Sequence, residues 1–137
     1  MRFLIVVAVC VFGGVQMPLA QVNRDGFQRV LVANPVPEIL AARFLARRLA
    51  KGCARIDMHA DVEPAVSALR FSRPDEFFAV KSKSVAAAAR RLSNEFDAEN
   101  NKPFRLDTSR GPLDPAVCKA AERRVGLDNL VGLMLDI

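Results

Sequence analysis

The N-terminal segment decides which residues of this chain are available to fold. Met1-Arg2 sets one positive charge ahead of an apolar run, Phe3-Leu4-Ile5-Val6-Val7-Ala8-Val9-Cys10-Val11-Phe12. Gly13-Gly14 and then Pro18-Leu19-Ala20 follow. A charge, a short apolar run and a small-residue end are the three parts of a secretory signal peptide. The run falls short of the ~20 apolar residues that span a bilayer. Residues 1–20 are therefore expected to direct export to the periplasm or the medium, leaving residues 21–137 as one small exported domain. Pro18 stands three residues before the proposed cut, where Ala is usual. An uncleaved anchor is the alternative, and the membrane would then be met only through this segment. Cys10 lacks the small-residue setting of a lipidated cysteine.

Export changes how the cysteines read. Of three in the chain, Cys53 and Cys118 remain after the cut, and an even count in an exported chain points to one disulfide. Closing a loop of ~65 residues is worth ~4 kcal/mol in the chain-entropy description. The competing reading is two buried thiols. Isolated cysteines without CxxC spacing do not make a zinc site. At 51% hydrophobic and 26% charged residues, the chain can build a packed core and is not of disordered composition. It has no Trp and no Tyr, which excludes a sugar platform or a base-stacking surface built on either.

Local patterns place the elements. Val30-Leu31-Val32, ended by Asn34-Pro35, reads as a strand. Pro37-Glu38 opens a helix, with Ile39, Ala42, Leu45, Ala46, Leu49 and Cys53 on one face and Lys51-Gly52 at its end. Leu40 and Phe44 fall on a different face of that helix, among Arg47 and Lys51. Residues 56–63 alternate apolar and polar, the period of a half-buried strand. Ile56, Met58, Ala60 and Val62 would face in, and Asp57, His59, Asp61 and Glu63 out. Residues 64–71 read equally as helix or returning strand.

Pro74-Asp75-Glu76 opens a second long helix with an apolar stripe of Phe78, Val85, Ala89, Leu92 and Phe96, and Lys83, Arg90 and Asn94 on its far side. The chain 104–107 is a candidate short strand. Asp114-Pro115 caps a third helix, with Val117, Ala121 and Val125 inward, Cys118 at the margin and Gly126 as its stop. The apolar end, residues 130–135, is a buried strand or a packed turn. Together these predict an α+β domain: two to three amphipathic helices on a short sheet, in a split βαβ order. A mostly α-helical domain is the alternative.

Few residues point to chemistry. The carboxylates Asp57, Asp61 and Glu63 with His59, the only histidine, would line one strand edge. There they could hold a hard divalent cation with help from elsewhere; a solvated edge that discourages pairing is the plainer meaning. No GxSxG, HExxH or SxxK sequence and no glycine-rich phosphate loop occurs. The basic doublets Arg47-Arg48, Arg90-Arg91 and Arg123-Arg124 sit on helices and read as solvated faces rather than a nucleic-acid surface.

Two functions follow as expectations. One is a small exported binding or accessory protein, such as an inhibitor, an immunity factor or a subunit of an envelope assembly. Its partner would be an acidic or envelope-associated protein, met through Leu40, Phe44, Arg47 and Lys51. It needs no cofactor and has no evident catalytic set. The other is a small exported hydrolase using carboxylates near His59, with or without a metal.

Overall fold

The computed structural model describes residues 27–100, 111–126 and 129–137, with the side chains of these apart from residues 96–100. The described chain is mostly helical. Helix α1 covers residues 27–33. Then follow α2 (Val36–Gly52), β1 (Asp57–Met58), α3 (Val62–Ser72), α4 (Pro74–Phe78), α5 (Ser82–Asn100), α6 (Pro115–Arg124), α7 (Leu130–Leu133) and β2 (Leu135–Asp136). The sheet is one antiparallel pair, with Asp57 opposite Asp136 and Met58 opposite Leu135. The expected split βαβ order is therefore replaced by its helical alternative, with a two-strand clip joining the middle of the chain to its end.

Helix α2 is the axis of the domain. Val36 and Pro37 start it, Glu38 lies in its first turn and Lys51 in its last. Ile39, Ala42, Leu45, Ala46 and Leu49 are fully buried, and Cys53 beyond the helix end is 3% exposed. A stripe at that spacing covers one side of a helix, and here it meets α1, α3, α6 and α7 in one cluster. A second side carries Ala41, which packs with Ala88 and Ala89 of α5. These small side chains let two long helices lie close.

Two expected strands are corrected. The run Val30-Leu31-Val32 is helical. Phe27 and Leu31 are buried and one turn apart, whereas Val32 is half exposed. A pair at i and i+4 meets the core on one face of a helix but on one of two alternating faces of a strand only if the residue between them does too. Asn34 closes the helix, its side-chain amide donating to the Val30 carbonyl at 2.7 Å.

The alternation at 56–63 survives as strand only at Asp57–Met58. Asp61 is already helical at φ −84°, ψ −5°. Val62, Ala65, Val66 and Leu69 bury along α3, a helical period that outweighs the two-residue alternation. This resolves residues 64–71 as helix. The end of the chain combines both expectations, a short helix α7 followed by the two-residue β2. The candidate strand at 104–107 lies outside the described residues.

The second long helix is interrupted. Helix α4 ends where the Ala79 amide bonds the Asp75 carbonyl at 2.9 Å, and α5 begins beyond Lys81, whose carbonyl accepts from Ser84 and Val85. No Gly or Pro marks the break. Phe78, expected at the head of the apolar stripe, is 95% exposed, and Phe77 packs against the core in its place. Arg70 of α3 lies over the Phe77 ring at 5.5 Å. Val85, Ala89 and Leu92 do continue along α5 as packed positions. Phe96 lies outside the described side chains.

Helix α6 begins as expected. Asp114 accepts from the Ala116 amide at 2.8 Å, with Pro115 at the first position. Val117 and Ala121 are buried. Cys53 and Cys118 are paired at disulfide geometry with Cα atoms 5.5 Å apart. Beside them the Leu113 amide donates to the Gly52 carbonyl at 3.0 Å. The α2 end and the α6 start are thus joined twice.

Candidate functional site

Leu40 and Phe44 stand one turn apart on α2, off the stripe that builds the main core. Phe44 is 48% exposed, too much for an ordinary core aromatic and too little for a free one. What half-covers it is neither a strand nor the C-terminal segment. It is the start of α5: Val80, Ser82, Val85, Ala86, Ala89 and Arg90 complete an open groove of about 510 Å³ with Leu40 and Phe44. The floor is aliphatic and aromatic. Among the described residues lining it, Arg90 is the one that is charged, and it is exposed.

The groove arises from a mismatch between two helices. Below it, Ala41 lets α5 approach α2 closely through Ala88 and Ala89. Further on, Arg91 of α5 pairs with Glu38 of α2. At the groove itself, the large side chains of Leu40 and Phe44 share the lining with the small Ala86 and Ala89, and the described residues leave the volume between the helices unfilled.

The other two residues expected at this spot are placed differently. Arg47 reaches across to α3, where its guanidinium donates to Glu63 Oε1 at 2.9 Å. Arg43 donates to the same carboxylate from Nε at 2.8 Å and from Nη2 to the second oxygen. This fork clamps α2 to α3. The Arg43 hydrogen bonds hold the Glu63 carboxyl below the ordinary Glu range; partial burial opposes this and Arg47 adds to it. Lys51 is exposed at the end of α2, so its charge acts only as part of the surrounding field. Arg90, which the sequence placed on the outer side of its helix, is the cation the fold brings to Leu40 and Phe44.

The acidic series does not form one edge, because the strand that would align it ends at Met58. Asp57 is exposed in β1. His59 is held inward: its ring stacks on Phe27 with centroids 6.0 Å apart, its amide donates to the Met134 carbonyl at 2.8 Å, and its Nδ1 accepts from the Asp61 amide at 3.1 Å. The Asp61 carboxylate is 3.9 Å from Nδ1. Glu63 is engaged by the two arginines. Among the described residues no three His, Cys, Asp or Glu side chains come together as a metal site. Among the same residues no helix is long and apolar enough to cross a membrane.

A second, smaller hollow of about 210 Å³ lies between α1 and α3, lined by Gln28, Leu31, Val32, Ala65, Ala68, Leu69 and Ser72. Among the described residues lining it none is charged, and Gln28 and Ser72 are the polar ones. Comparison with protein-family models, with curated proteins and with solved structures found no match.

Proposed function

We propose that this chain is a small exported binding or accessory protein, an inhibitor, immunity factor or envelope-assembly subunit, that holds its partner in the α2–α5 groove. The observation that carries this reading is the half-exposed Phe44 in an unfilled apolar groove beside Arg90. Pockets of roughly 300–1,000 Å³ enclose drug-sized ligands, so this groove has room for one or two large side chains of a partner. The remaining contact would come from the surrounding helix faces, since a stable interface buries about 800 Å² on each partner. The paired cysteines and the N-terminal apolar run support export. No observation favours the hydrolytic alternative over this one.

The test uses Phe44→Ala. Full burial of a Phe would make this cost about 3–5 kcal/mol; half exposure brings the expected loss to about 1–2 kcal/mol, so the variant stays folded. A photo-crosslinking amino acid at Phe44 should join the oxidised protein to one envelope protein. Excess unlabelled wild type should compete that product away, and the Phe44→Ala protein should not. Equal competition by the two would overturn the proposal.

A further inference from the structure

We infer that the segment bound in the α2–α5 groove is an acidic amphipathic helix presenting one or two large apolar side chains; this rests on the reading of the groove as the binding site. The charges around the groove carry the inference. None of the described residues lining it is acidic. The arginines nearest in sequence or on the facing helix are already engaged: Arg91 by Glu38, and Arg43 and Arg47 by the single carboxylate of Glu63, which leaves that cluster with a net charge of +1. Arg90 has no such pair among the described residues, and it lies on the groove. Lys81 and Lys83 are exposed where α5 begins, and Lys51 where α2 ends. The chain carries a formal charge of +5, or +4 without Arg2 of the expected signal segment, so the wider field has the same sign. Carboxylates flanking an apolar anchor would complement this rim, steer encounter and lose influence as salt rises.

The walls select the shape of the occupant. Both long sides are helices, and the two-strand sheet β1–β2 lies elsewhere, so there is no strand edge here to accept an added strand. Side chains alone form the surface, as in helix-in-groove recognition, where anchors at i and i+4 enter an apolar cleft. Leu40 and Phe44 on one wall and Val85 and Ala89 on the other repeat at that same spacing.

The probe is a fluorescent four-turn synthetic helix of Glu and Ala with two Leu residues at i and i+4. Its companions replace every Glu by Lys, or both Leu by Ala. Each is titrated by anisotropy against the oxidised protein and its Arg90→Glu variant, with circular dichroism confirming that the variant folds. The acidic Leu peptide should bind and weaken with salt. Arg90→Glu should weaken it about five- to tenfold, the effect of exchanging one exposed attraction for a repulsion, and should strengthen the Lys peptide. Arg90→Gln should give an intermediate loss.

If the Glu and Lys peptides bind wild type equally and Phe44→Ala abolishes both, the acidic partner is refuted and the groove stands. Absence of saturable binding by any peptide also refutes the inference, and the crosslink at Phe44 then decides the groove separately.

Discussion

Removing the Cys53–Cys118 link should be the most costly two-site change in this chain that leaves the packed surfaces almost untouched. The cysteines are 65 residues apart in sequence, so the bridge closes roughly half the chain. In the chain-entropy description a loop of that length loses about 14–15 cal/mol/K in the denatured state, or about 4 kcal/mol at 25 °C. A domain of this size holds a net stability of about 5–15 kcal/mol, so the bridge accounts for a large share of it. The variant is Cys53→Ala with Cys118→Ala, which avoids burying a hydroxyl at Cys53, 3% exposed. Reduced wild type is the control that creates no cavity. Far-ultraviolet circular dichroism is the readout, because a chain without Trp or Tyr offers no useful intrinsic fluorescence. With a urea slope of about 2 kcal/mol/M, the midpoint should fall by about 2 M in both proteins. A loss under about 1.5 kcal/mol would refute the reasoning, since the loop would then not be constrained by the bond. Free alkylation of both thiols in native oxidised protein would refute it more directly.

Further expectations concern single residues. A Cβ at Gly132 would run into the Arg124 carbonyl oxygen, so Gly132→Ala must displace backbone and should cost about 2–3 kcal/mol in thermal or urea unfolding; a neutral result would mean that α6 and α7 are not packed this closely. Glu63→Gln should cost under about 1 kcal/mol, because the Arg43–Glu63–Arg47 cluster is half exposed. The folded Glu63 pKa lies below its unfolded value, so wild type should hold this advantage above about pH 4.3 and lose it as pH falls through the folded pKa. The difference between wild type and Glu63→Gln, followed by urea unfolding from pH 7 to acid, should shrink accordingly. Mass spectrometry of the full-length chain expressed in cells should find a new N-terminus at or near Gln21 if residues 1–20 act as a signal; retention of Met1 would indicate an anchor.

Helix α2 and the start of α6 were legible in the sequence because each carries independent signals that agree. Helix α2 has a Pro start, an early Glu, a long apolar stripe, and a basic end with a glycine. Helix α6 has an Asp cap followed by Pro, and both features recur in the structure. The cysteine pair was legible from counting once the N-terminal segment, with Cys10, was set aside. The strands were misread where a short pattern was weighed against no neighbour. Val30-Leu31-Val32 looks extended until Phe27 is included, one turn back from Leu31. The residues from Asp57 to Glu63 alternate well, but Val62 also heads the helical series Val62, Ala65, Val66, Leu69. Over four positions the longer period buries more apolar surface, and that surface decides the outcome.

The candidate site shows what a one-dimensional reading leaves out. Leu40 and Phe44 could be singled out because they break the stripe of their own helix. Whether they are covered depends on a second helix that starts some forty residues later, and on where it starts. Had α4 and α5 been continuous from Pro74, as the spacing of Phe78 with Val85 suggests, the apolar stripe would have carried Phe78 toward α2. The break at residues 79–81 instead turns Phe78 outward, sets Val80 against the groove, and opposes Phe44 with Ala86 and Ala89. Charge was redistributed by the same packing. Arg47 was expected beside Phe44 from its place on α2, but α3 brings Glu63 within reach and engages it, while α5 delivers Arg90. The groove therefore draws its apolar walls from two helices and its cation from the second. A helical wheel drawn for either helix alone identifies half of it.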